Sequence, residues 1–156
     1  MKEVIAYTDG SAIKQIKDSS KYHGGAGVVL IYNGKEKHIS CPIEDGTNNI
    51  SEITAAILAL KNLKYPCKVV LHTDSQYVIN SMTKWLSGWK RRNWKTASGG
   101  AVKNKDLLLQ LSDLCNIHEV EWVWVKGHNG NHYNEIADKL ACEASASLKH
   151  EEEMVS

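Results

Sequence analysis

Long apolar runs are missing from this chain; nothing in it approaches the ~20 consecutive apolar residues of a membrane-crossing helix. A secretion signal is missing too, because Met1-Lys2-Glu3 leads straight into a strand-like pattern with no apolar segment or cleavage site. The expected location is therefore the cytoplasm, with no membrane partner. Cysteine is scarce and scattered. Cys41, Cys67, Cys115 and Cys142 form no CxxC pair, which argues against zinc ligation and a disulfide framework and predicts buried thiols in a reducing compartment. Acidic residues are absent from 84–105, where Lys84, Lys90, Arg91, Arg92, Lys95, Lys103 and Lys105 all fall. The remaining chain holds 12 cations against 18 acids, so a net charge of only +1 conceals one strongly basic segment. Such an asymmetry suits contact with a polyanion at one place.

What is present is enough for one core: 156 residues, 42% of them hydrophobic, make one domain over 1–156 and exclude wholesale disorder. Apolar and β-favouring residues predict strands over 3–8 and 24–32. Asn33-Gly34 is a strong hairpin signal, so 35–41 should return antiparallel. Helical spacing of Ile53, Ile57 and Leu60 predicts a helix over 51–63, ended by Pro66. A strand over 68–73, a helix over 75–82, the basic Trp-rich segment, a helix over 102–115, a strand over 117–125 and a helix over 134–148 follow. The acidic tail 149–156 is expected to fray. The order β-β-β-α-β-α-α-β-α implies an α/β fold: a five-stranded mixed sheet, antiparallel meander plus parallel strands, flanked by helices.

Four acids stand out. Asp9 and Asp74 sit in twin contexts, Tyr7-Thr8-Asp9-Gly10-Ser11 and His72-Thr73-Asp74-Ser75, each where a hydrophobic strand runs out. Ligands of open α/β sheets gather at such strand ends. Helix or turn capping competes with that reading, more strongly for Asp74 than for Asp9. Glu52 leans toward Ala56 and Ala59; taken alone, it is better read as the end of a capping box, Asn49-Ile50-Ser51-Glu52. Asp138 leans toward Ala141 and Cys142, with no cation at 134, 135, 141 or 142. Four carboxylates at one sheet end would repel, and a hard divalent cation would relieve them; oxygen-only ligands favour magnesium or manganese over zinc.

Together, Tyr7-Thr8-Asp9-Gly10-Ser11, Thr47-Asn48-Asn49…Glu52, Thr73-Asp74-Ser75-Gln76-Tyr77-Val78 and Val125-Lys126-Gly127-His128…Asn134…Asp138 resemble type 1 ribonuclease H, the bacterial form. The motifs keep the family's order from residue 3 to about 148. The resemblance implies the ribonuclease H-like fold and endonucleolytic hydrolysis of the RNA strand of RNA–DNA hybrids, with no obligate protein partner and a monomeric state. It implies that Asp9, Glu52, Asp74 and Asp138 bind two magnesium ions (manganese a possible substitute) and support in-line attack leaving a 5′-phosphate and a 3′-hydroxyl. It assigns His128 to proton transfer or product release, and leaves His132 as surface. It matches Asn48, Asn49 and Gln76 to minor-groove contacts, Thr47 and Asn104 to a DNA-phosphate pocket, and 84–105 to a basic protrusion with Trp85, Lys90, Arg91, Arg92 and Lys95 on substrate. Trp89 is expected to pack within the protrusion. An inactive hybrid-binding module or another polynucleotidyl transferase of the superfamily is the alternative. The chain departs from the family pattern in a longer first loop without proline, 12–23, at Gly88, and at Asp45, where a cation is common and whose charge is expected to weaken the phosphate pocket.

Overall fold

The computed structural model describes residues 1–126 and 130–155. Strands β1 (Lys2–Lys14), β2 (Tyr22–Tyr32) and β3 (Lys35–Glu44) form the antiparallel meander. Strand β4 (Cys67–Thr73) runs parallel to β1, and β5 (Glu119–Trp124) runs parallel to β4, in the order β3-β2-β1-β4-β5. The β2–β3 turn has Asn33 and Gly34 both at positive φ, 50° and 74°, which is the geometry a two-residue hairpin favours.

β1 is longer than its local sequence suggests. Its parallel neighbour β4 stops at the Thr8–Thr73 pair, while its antiparallel ladder with β2 continues through Asp9–Gly27 to Lys14–Tyr22. Asp9 therefore lies within the strand, at the point where one neighbour is lost. β2 is buried continuously from His23 to Leu30 because helices cover both its faces.

On one face lies α1 (Asn48–Lys61), with Ile53, Ala56 and Leu60 buried against β1 and β2. Burying Ile53 and Leu60 contributes about 1.5–3 kcal/mol each, together more than a cap of about 0.5–2 kcal/mol. The cap is Thr47, whose hydroxyl accepts from the Ile50 amide at 3.2 Å. The capping box at 49–52 is thus not formed, and Glu52 enters the second turn instead. Nor does Pro66 end the helix: Asn62 does, its side-chain amide donating to the Leu58 carbonyl at 2.8 Å.

On the opposite face, α5 (His132–Val155) lies almost directly on the backbone of β2. A Cβ added at Gly25 would come within 2.1 Å of the Ala141 carbonyl oxygen, and one at Gly27 within 2.1 Å of that of Ala137. Ala137, Ala141 and Ala144 complete this close contact. The helix does not stop at 148 and fray. It continues to Val155, and Glu152 is only 9% exposed.

After β4 come α2 (Gln76–Asn80), a π-helical turn (Ser81–Trp85) and α3 (Leu86–Arg91), and the basic segment runs from that turn through α3 and a loop to α4 (Lys105–Ile117). The α4 helix begins three residues later than its apolar spacing suggests, because Asn104 takes a left-handed φ of 62°. Trp89 packs within the protrusion, against Trp94, which is the more buried of the two and also carries Lys105 over its ring. All four cysteines are free thiols; Cys67 is buried as expected, whereas Cys41 and Cys115 are half-buried and Cys142 is exposed. Among the described residues, no helix is long and apolar enough to cross a membrane.

Candidate active site

Asp9, Glu52 and Asp74 converge from β1, α1 and the end of β4, with one carboxylate oxygen of each lying within 4.8 Å of the others. Capping does not explain Asp74. The α2 cap is Ser75, whose hydroxyl accepts from the Val78 amide at 3.1 Å, so the Asp74 carboxylate is left for the cluster. Asp9 is 5% exposed and accepts from the Gly10 amide at 2.9 Å. Glu52 is equally buried, and its Oε1 has no hydrogen-bond partner among the described residues.

Gly10 makes the convergence possible. A Cβ there would stand 2.6 Å from the Glu52 backbone nitrogen and 2.8 Å from its Oε1. α1 can approach β1 closely only because that side chain is missing.

Electrostatics records the cost. Burial, followed by the charge of Asp74, pushes the Asp9 carboxyl up to about 8. Burial, then Asp9 and Asp74, holds Glu52 well above the usual carboxylate range. No lysine or arginine pairs with either among the described residues. Buried, uncompensated carboxylates are expensive, and a divalent cation is the counter-charge that such an oxygen-only donor set fits.

Asp138 lies outside the tight trio. It is half-buried on α5, its Oδ1 lies 3.8 Å from the Cys142 thiol, and its charge contributes to raising Asp9. It therefore borders the cluster without joining the 4.8 Å group. His128 lies outside the described residues. His132 opens α5 exposed and stacks edge-on with Tyr133.

The other candidates distribute around this centre. Asn48 and Asn49 are exposed in the first turn of α1, and Gln76 is exposed two residues after Asp74. Thr47 is committed to capping through its hydroxyl, and Asn104 donates to the Tyr77 hydroxyl at 3.2 Å. Trp85 is 42% exposed, whereas Trp89 packs against the core. The protrusion's cations differ in freedom. Lys90 donates to Ser112 Oγ at 3.2 Å, and Arg92 donates to the Lys95 carbonyl at 3.3 Å, its guanidinium lying over the space that Gly88 leaves. Arg91 and the Lys95 side chain are exposed.

Sequence reasoning missed one polar cluster, Gln15, His23 and Glu152. A signal existed: Ala141, Ser145, Leu148 and Glu152 continue one helical stripe. The charged composition of the tail obscured it.

This arrangement has close relatives. The RNase H family model matches residues 1–146. The chain is 50% identical over 141 residues to Ribonuclease HI of Haemophilus ducreyi, covering 90% of this chain and 89% of that protein. It is 44% identical to Ribonuclease H of Alcanivorax borkumensis over the full length of both. Among solved structures, LC9-RNase H1, a type 1 RNase H with the type 2 active-site motif, superposes with a TM-score of 0.83 at 32% identity, covering 94% of this chain and 74% of that one. The foamy viral protease–reverse transcriptase in complex with RNA/DNA hybrid gives 0.80 at 26% identity, covering 94% and 20%. With the family match spanning residues 1–146 and half of 141 aligned residues identical to a bacterial member, the chain belongs to the ribonuclease H family.

Proposed function

We propose that this chain hydrolyses the RNA strand of RNA–DNA hybrids at the Asp9–Glu52–Asp74 cluster, with Asp138 completing a site for two magnesium or manganese ions. The observation that carries this reading is the convergence of three carboxylates, buried Asp9 and Glu52 with half-buried Asp74, without a lysine or arginine partner among the described residues. A binding-only module would gain nothing from such repulsion. Divalent ions held there supply positive charge to the phosphodiester and its departing oxygen.

The chain's own contribution is placement. Asp9 is fixed by its ladder to Gly27, and the charges of Asp74 and Asp138 both raise its carboxyl; by the family resemblance it would be the ligand that the two ions share. Glu52 is held by the packing of α1, and Asp74 by the end of β4. Rigid alignment of this kind, with in-line attack leaving a 5′-phosphate and a 3′-hydroxyl, is the catalytic device proposed. His128 remains the proposed proton carrier, since imidazole changes charge near neutral pH. Asn48, Asn49 and Gln76 offer amides with both donors and an acceptor, suited to sugar and minor-groove edges without reading sequence. Thr47 and Asn104 are proposed on a DNA phosphate, and Trp85 with the basic protrusion on the DNA strand. The chain is proposed to act as a monomer.

Labelled RNA–DNA hybrid, double-stranded RNA and single-stranded RNA provide the test, each with magnesium or chelator. Only the hybrid is expected to be cut, chelator should abolish cutting, and Asp74→Asn should lose about 10²-fold or more. Cutting of all three substrates, or a wild-type rate in Asp74→Asn, would sink the reading.

Replacing Lys90, Arg91 and Arg92 together by alanine should raise KM and flatten the salt dependence of hybrid binding by up to about three phosphate contacts. The kcat should stay within about twofold, because these cations neutralise phosphates without touching the reacting atoms. Steady-state kinetics across a salt series checks this. A fall in kcat at constant KM would contradict the division between grip and chemistry.

A further inference from the structure

The loop between β1 and β2 is held by a residue 130 or more positions away in sequence. Glu152, in the last turns of α5, accepts from two successive backbone amides, that of Ile16 at 2.8 Å on Oε1 and that of Lys17 at 3.1 Å on Oε2. His23 Nε2 lies 2.7 Å from the same Oε1. Both residues are 9% exposed, so the carboxylate is spent on the loop and not on solvent. Its carboxyl is accordingly held down at about 2, chiefly by the Ile16 amide and then by His23. Charge-assisted bonds to paired amides are stronger and more directional than neutral ones.

The same loop is anchored on its other side. Gln15 is 8% exposed, and its side-chain amide donates to Asp45 Oδ1 at 3.0 Å and to the Tyr22 carbonyl at 3.3 Å. Asp45 stands two residues before Thr47, the cap of the helix that carries Glu52. Between these anchors a local turn closes through Lys21 N to Asp18 O and Ser20 to Asp18 Oδ1. What the loop presents outward is Lys14, Lys17 and Lys21, all exposed. Lys14 lies five residues beyond Asp9 on β1, about 17 Å along the strand, or about five nucleotide steps of a helical strand. A nucleic-acid strand that follows β1 away from the carboxylates for that length would come alongside the exposed 14–21 segment.

We infer that Glu152 is a positioning residue for substrate: through the Ile16 and Lys17 amides it holds the 15–21 loop so that Lys14, Lys17 and Lys21 face the nucleic acid engaged at Asp9. The inference rests on the function proposed above and adds a route by which the C-terminal turn of α5 tunes affinity. A loop freed of this clamp samples many conformations, and each binding event must order it again, which weakens binding and leaves the reacting groups untouched.

The experiment compares wild type with Glu152→Gln, which keeps the volume and removes the charge and one acceptor oxygen. Glu152→Gln should raise KM for the hybrid about 3–10-fold, with kcat within about twofold, and lower the salt slope by about one to two phosphates. Amide hydrogen exchange at Ile16 and Lys17 should accelerate about tenfold or more in the absence of any metal or substrate. In a Lys14, Lys17 and Lys21→Ala background, where folding is not at risk, Glu152→Gln should add no further rise in KM. Faster exchange with unchanged KM, or an equal KM increase in both backgrounds, overturns the inference. Failure of wild type to cut hybrid would refute the function, while the exchange rates of the Ile16 and Lys17 amides, which need no cleavage, still read the clamp.

Discussion

Glu52→Gln should make the metal-free protein more stable and the enzyme nearly inactive. The reason is the charge state of the cluster. Burial and mutual repulsion raise Glu52 well above the usual carboxylate range and Asp9 from 3.8 to about 8. The fold therefore holds protons that the unfolded chain releases. The stability linked to these carboxyls is complete below about pH 3.8 and is lost as pH rises toward about 8. A neutral amide of the same shape escapes that loss. The expected gain at pH 8 is about 1–2 kcal/mol, or about 2–4 °C in Tm for each kcal/mol, shrinking toward nothing near pH 4. Magnesium should stabilise wild type increasingly as pH rises, because it competes with the same protons, and should do little for the variant. Hybrid cleavage should fall about 10²–10³-fold or more. Thermal unfolding with and without metal at several pH values checks the first part. A variant less stable than wild type at pH 8 without metal would mean that Glu52 is not a strained carboxylate.

Gly27→Ala is the second large effect. The new Cβ would meet the Ala137 carbonyl oxygen at 2.1 Å and the Ala141 nitrogen at 2.7 Å. These are helix backbone atoms, which cannot swing aside, so α5 must lift from β2. The expected loss is about 3 kcal/mol, the upper end for overpacking. Because Asp138 follows Ala137 on that helix, and Asp9 pairs with Gly27 on the sheet, activity should fall further than stability alone explains. Gly34→Ala is the control. It sits at φ +74° with open space around it, so it pays only the left-handed backbone penalty of about 1 kcal/mol and should keep full activity. Urea unfolding and cleavage rates on both variants decide the matter; equal losses would refute the close contact.

Much of this architecture is visible in local pattern. The Asn33-Gly34 turn, the apolar stripe of α1 and the short apolar run of β4 each follow from residues close together in sequence, which is where local pattern carries information. The places where local pattern failed share one feature. β1 outruns its apolar stretch because a partner 18 residues away at Gly27 supplies its ladder. Glu52 is not a capping residue because Thr47 takes that role two positions ahead of the expected box. The tail stays helical because Glu152 finds amides on a distant loop. In each case a non-local partner outweighed a sound local preference.

The amino-acid sequence by itself determined the order of elements, the basic segment and the identity of four acids without cationic neighbours, since these depend on composition and short-range spacing. Tertiary structure alone decided which carboxylates meet, that Asp138 borders the trio instead of joining it, and that α5 clamps a loop at its far end. Proximity across the sheet is set by how closely backbones can approach at Gly10, Gly25 and Gly27, and that distance appears only when the strands and helices pack.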